Sequence, residues 1–167
     1  MIPTTLLPDD LFKTLSRARE ELEKRLKNGL NEISEAPVFH HGSPSPSDLP
    51  NERCAVWLDF ARIYEEDWTH ASESFMVEAE VTIICQDQGN DKYGYDPNLK
   101  DRIISQAIHS LFQTLEGNSL SDAVEETNFV SGDGFAGRFG GDHNVVGWVL
   151  TLQLRLGLGP SRCPPDF

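Results

Sequence analysis

Glu78 and Glu80 stand two positions apart, and paired acids are the groups that glycoside hydrolysis uses, one to donate a proton and one to act as nucleophile or base. Asp59 and His109 would extend such a set toward a small hydrolase. Catalysis needs a nucleophile, a base and an orienting group that converge, and no recognisable arrangement of the three is present in this sequence. Glu78 and Glu80 read more simply as a solvated strand face. His40 and His41 are adjacent, yet no Cys, Asp or third His accompanies them at zinc-ligand spacing, so they read as loop histidines. Asp87, Asn90, Asp91 and Asp96 offer oxygen donors without the alternating ligands and distal Glu of an EF-hand loop. Residues 132–144 are rich in glycine but lack the GxxxxGK pattern, and they join strand to strand. A phosphate cradle would instead lead into a helix N-terminus. The three cysteines, Cys54, Cys85 and Cys163, are odd in number and widely spaced. They suggest neither a disulfide framework nor a metal knuckle, and reduced thiols are expected. The residues thus call for no cofactor and no metal.

The elements that would carry these residues are legible from periodicity. From Val145 to Leu156, Trp148, Leu150, Leu152, Leu154 and Leu156 take alternate positions, which gives a long strand with one heavy apolar face. Phe75, Val77, Ala79, Val81 and Ile83 alternate in the same way against Glu78, Glu80 and Thr82. Val56, Leu58 and Phe60 alternate against Trp57, Asp59 and Arg62. The short connection between these two strands predicts an antiparallel hairpin. Glu126 to Ser131 predicts a further short strand. Leu11, Leu15, Ala18, Leu22 and Leu26 recur at three- and four-residue steps after the acidic cap Asp9-Asp10, and Asn28-Gly29 suits the helix end. Three Glu–Lys/Arg pairs at i,i+4, including Glu21 with Arg25, support the other faces of this helix. Leu99, Ile103, Ala107, Leu111 and Leu115 predict a second helix, which Gly117 ends. The expected fold is α+β in the order α-β-β-α-β-β: about four strands in a largely antiparallel sheet, with two main helices packed on it. Its core should include Leu15, Leu22, Leu58, Phe60, Val77, Val81, Ile83, Ile103, Leu111, Trp148, Leu150, Leu152 and Leu154.

The 167 residues suit one domain. Fourteen basic against 27 acidic residues give a net charge of −13, a field that repels phosphate and argues against recognition of nucleic acid through a basic surface. Solubility accounts for the same charge equally well. Met1 to Thr5 carry no basic region or apolar core of a signal peptide, and no run approaches the length of a membrane span. Three segments are expected to lie outside the packed elements. These are a Pro/Ser-rich loop at 36–50, the Gly-rich loop at 132–144, and a Pro-containing C-terminal extension at 157–167. In the Gly-rich loop, Phe135, Arg138 and Phe139 are candidate contacts with a subunit or neighbour, because aromatic and Arg residues are enriched at interfaces. A plain flexible hairpin loop explains it as well. Trp68 and Tyr93 are further candidates.

This layout resembles the tail terminator (tail completion) proteins of long-tailed bacteriophages. The resemblance is carried by the helix Leu11 to Leu26, Leu49-Pro50 before the first strand, the hairpin ending in Val81-Thr82-Ile83-Ile84, the helix Leu99 to Leu115, and the closing strand Gly147 to Leu154. It spans nearly the whole chain and is a likeness of layout rather than of an invariant motif. It implies a structural, non-enzymatic virion protein of the tail or neck region, assembled in the host cytoplasm. Its subunits would form a homo-oligomeric, hexameric ring on the tail-tube protein, stop tube growth and present a surface to the head–tail connector. DNA would pass through an acidic lumen without specific binding, and no membrane is involved. Another neck or head–tail joining protein, or a tail-tube subunit, is the nearest alternative. A small hydrolase and a protein-binding adaptor are the alternatives from other classes.

Overall fold

The computed structural model describes residues 8–31, 37–44, 54–64, 74–87, 98–113, 124–139 and 143–157. It has the element order α1 (Pro8–Leu30), β1 (Val38–His41), β2 (Cys54–Ile63), β3 (Ser74–Asp87), α2 (Leu99–Gln113), β4 (Val124–Phe139) and β5 (His143–Gly157). The strands form one five-stranded sheet in the order β1-β2-β3-β5-β4. The expected α+β class with two helices holds, but the sheet is mixed and has a fifth strand. β1 lies parallel to β2, with Val38 beside Ala55 and His41 beside Leu58, and every other neighbouring pair is antiparallel.

The alternation in the sequence decides which sheet face is covered. Val56 and Leu58 of β2, Phe75 to Ile83 at odd positions of β3, and Leu150 to Leu156 at even positions of β5 are at most 2% exposed. They share one face and pack with Ala18, Leu22, Leu26 and Leu30 of α1 and Ile103, Ala107 and Leu111 of α2. Both helices therefore cover the same face. Of the expected core, Leu15, Phe60 and Trp148 are partly buried at its margin and the others are buried. Arg19 lies over the Phe60 ring at 5.1 Å, closing that margin with a cation.

The two helices touch closely where the sequence suggested a helix end. Gly29 lies inside α1, which continues to Leu30. A Cβ there would collide with the Ser110 side chain and stand 2.9 Å from the Gln106 carbonyl oxygen of α2. Glycine is present because two backbones approach, not because the helix stops. Beside this crossing Arg25 is 6% exposed rather than on a solvent face. Its guanidinium pairs with Glu21 one turn back and donates from Nη1 to the Leu111 carbonyl at 3.1 Å, in the last turn of α2. The positive charge thus meets the negative pole of the neighbouring helix.

β1 corrects the reading of 36–50 as a loop throughout. Val38 and Phe39 supply two β-formers, and the flanking prolines confine the strand to the sheet edge, where a missing donor costs least. Gly42, with φ +82°, ends it in a conformation that side chains other than glycine rarely adopt. Its amide still donates to Leu58 O at 2.9 Å.

Candidate functional site

The sheet's far edge differs most from the sequence expectation. Residues 132–139 were expected to belong to a Gly-rich loop. They form the distal half of β4, whose ladder with β5 runs from Val124 opposite Leu156 to Phe139 opposite His143, leaving only residues 140–142 as the connection. Glycine is tolerated within this strand because the space above it is taken. A Cβ on Gly134 would run into the Lys100 side chain and lie 3.2 Å from Trp148 Cη2, and one on Gly132 would lie 3.2 Å from Leu150. Lys100, at the start of α2, spans Gly134 with its Nζ 5.4 Å from the Trp148 ring. Trp148 Nε1 donates to the Lys100 carbonyl at 2.8 Å. The indole thereby pins the N-terminal turn of α2 to the sheet.

Register shifts at Val124/Glu126 and at Phe129/Ser131 place bulges in β4, and bulges twist an edge locally. At the second, Phe129 and Val130 are 43% and 49% exposed. β4 is one of the sheet's two outer strands among the described residues, paired on one side with β5. Phe129 and Val130 thus stand exposed on a long outer edge whose ladder the bulges interrupt.

Of the residues singled out from the sequence, Phe135 is half-buried rather than free on a loop. It packs on the sheet face opposite the helices against a second apolar cluster of Ala55, Trp57, Ile84 and Val145. It reaches across Gly147, where a Cβ would stand 2.6 Å from Phe135 Cζ. His40 stacks on Trp57 beside the same cluster, with centroids 4.9 Å apart and planes 20° apart. It is therefore a strand residue and not a loop histidine. His41 is exposed, with Nε2 4.0 Å from Glu23. The backbones of Arg138 and Phe139 pair with Asn144 and His143. Their side chains, and all of Trp68 and Tyr93, lie outside the described residues, as do residues 45–50, 140–142 and 158–167.

The remaining acids of interest lie on the same open face. Glu78 Oε1 accepts a hydrogen bond from Tyr64 Oη at 3.2 Å, and that oxygen accepts one from Gln153 Nε2 at 3.3 Å. Arg62 lies over the Tyr64 ring at 5.5 Å. Glu80 is two residues along the strand and opposite Asp59, whose Oδ2 accepts from Ser43 Oγ at 3.1 Å. Glu78 and Glu80 thus engage different neighbours side by side on a pleated surface, rather than facing each other across a gap. Glu126 accepts from Asn128 at 3.3 Å and stands 3.7 Å from Arg155 Nε. His109 is on the exposed side of α2. Among the described residues, no group of three or more His, Cys, Asp or Glu is placed to hold a metal ion, and no helix is long and apolar enough to cross a membrane.

No family model and no curated protein matches the chain.

The sequence did not point to Phe129, Val130, Gly147 or the Cys54/Cys85 pair as features of interest. Gly147 carried a signal, since it interrupts the residues of β5 that face away from the helices, beside a strand bearing Phe135. Phe129-Val130 carried another, as two consecutive apolar residues where strict alternation allows one.

Proposed function

We propose that the chain is a structural assembly subunit of the tail-terminator kind, which forms a closed ring capping a phage tail tube and joining it to the head connector. The observation that carries this reading is the inequality of the two sheet edges. One edge is the four-residue β1; the other is the 16-residue β4 with Phe129 and Val130 exposed. Copies that associate through unlike surfaces meet head to tail, and such contacts generate rings when the rotation closes. Apart from the added β1, the order of helices and strands is the layout on which the resemblance to terminator proteins rests. Within a ring, the surplus of acidic residues would give the lumen a charge that does not retain DNA.

The test is the native mass by light scattering across a range of concentrations, with electron micrographs of the same samples and tail tubes added in a second series. Closed rings of one size, alone or on tube ends, are the expected result. Val130→Lys places a charge on the outer edge, a device that blocks edge association. This variant should keep its circular dichroism and lose the ring. A monomer at every concentration that also ignores tube ends refutes the proposal, and open stacks point instead to a tube subunit.

A further inference from the structure

Cys54 and Cys85, read from the sequence as unrelated thiols, are cross-strand partners. Cys54 opens β2 and stands directly opposite Cys85 of β3 in the antiparallel register. The two side chains share the helix-covered face, at 1% and 2% exposure, and Cys85 Sγ lies 2.9 Å from Cys54 Sγ as thiol donor to thiol acceptor. Directly opposed antiparallel residues have Cα atoms about 4.5 or 5.5 Å apart, and both spacings fall within the range of about 4.4–6.8 Å that a disulfide spans. The pair stands at the end of the β2–β3 ladder, next to Ala55 with Ile84, and Cys85 is held on its other side by its β5 partner Val146. The backbone therefore already holds the geometry that oxidation needs. Burial selects the oxidant: a bulky disulfide reagent must wait for the strands to open, whereas a peroxide is little larger than water.

We propose that Cys54 and Cys85 form a redox modification site, which a peroxide converts from a buried dithiol to a cross-strand disulfide. One thiol gives up its proton and attacks a peroxide oxygen. The O–O bond breaks, water leaves, and the sulfur becomes a sulfenic acid. The second thiol attacks that sulfur, the S–O bond breaks, and a second water leaves as the S–S bond forms. With hydrogen peroxide, two thiols and one peroxide give one disulfide and two waters. The product clips the start of β2 to the distal part of β3. A dithiol reductant reverses it by exchange.

The experiment uses the full chain with Cys163→Ser, so that Cys54 and Cys85 are its remaining thiols. Folded protein is treated with hydrogen peroxide and assayed by thiol titration under denaturing conditions and by peptide mapping without reductant. Free thiols per chain should fall from two to none. The Cys54 and Cys85 peptides should appear as one linked species from the monomeric band, and dithiothreitol should restore both thiols. The urea midpoint should rise on oxidation and return on reduction. Cys54→Ser and Cys85→Ser should each abolish the linked species and the midpoint shift. Thiols that stay free, separate sulfinic or sulfonic acids, links only between chains, or a midpoint that does not rise would each overturn the proposal. Wild-type chain treated in the same way should give the same linked peptides, and a link to Cys163 in their place would also count against it.

Discussion

Removing the Arg25 side chain should cost more stability than removing any other surface-type residue of α1. Arg25 is 6% exposed, its partner Glu21 has 17% of its side chain exposed, and its Nη1 supplies the Leu111 carbonyl at the end of α2. In Arg25→Ala the Glu21 carboxylate loses its counter-charge in a mostly dry setting, and the Leu111 oxygen loses a donor. Breaking one side of a buried pair costs about 3–5 kcal/mol, because the charge left behind is uncompensated. The orphaned carbonyl falls within that figure, since either group can recruit water once the long side chain is gone. Arg25→Met with Glu21→Gln removes both charges and keeps the volume, so the double variant should recover most of the loss. Urea unfolding followed by tryptophan fluorescence gives all four stabilities needed for a double-mutant cycle with Glu21→Gln and Arg25→Met alone. A loss below about 1 kcal/mol in Arg25→Ala would place the pair among exposed salt bridges, which contribute little, and would refute the argument from burial.

Gly29→Val should separate α1 from α2 at Ser110 and cost about 1–3 kcal/mol, the range of overpacked cores, while Ser110→Ala in the same chain recovers part of it; thermal melts read both. Gly147→Ala should destabilise by at least as much, because a Cβ there would collide with the Ile83 carbonyl oxygen of β3 as well as with the Phe135 ring, so Phe135→Leu should leave most of the loss in place, measured by urea midpoints. Trp148→Phe forfeits the hydrogen bond to Lys100 O and should cost about 1 kcal/mol, with faster amide exchange at the first turn of α2. Closing the Cys54–Cys85 loop by oxidation should add about 4 kcal/mol on the chain-entropy account, read as the difference in unfolding free energy between oxidised and reduced chains.

The central strands and both helices were legible because each presents one apolar face to a single core. In β5 the even positions Leu150 to Leu156 are all fully buried, and a period of two survives that arrangement intact. β1 was not legible, since four residues between prolines give no period, and their place is set by Ala55 to Leu58 alongside. The distal half of β4 was misread because glycine normally marks a turn. Here it marks backbone lying beneath Lys100 or beside Leu150, a tertiary fact that no local pattern contains. The same holds for Gly29. The candidate contacts divide in the same way: Phe135 was noticed for its type, but its partners Trp57, Ile84 and Val145 come from three other strands. The cysteines looked isolated because 31 positions separate residues that the hairpin register puts face to face.

The strand order also governs how the chain reaches this state. β4 and β5 are joined through residues 140–142, so their hairpin closes a small loop and can zip without help from the rest of the chain. The β3–β5 joint is different. It matches Asp87 with Asn144 at one end and Ser74 with Gly157 at the other, across the whole of α2 and β4. Its closure carries the larger loop entropy and must wait until both hairpins exist. Until then the edges of β3 and β5 that later meet are open, and each can pair with the corresponding edge of another chain. Crowded synthesis of many copies would therefore expose this seam to exchange of hairpins between molecules, making slow, dilute refolding the condition that favours the monomeric sheet.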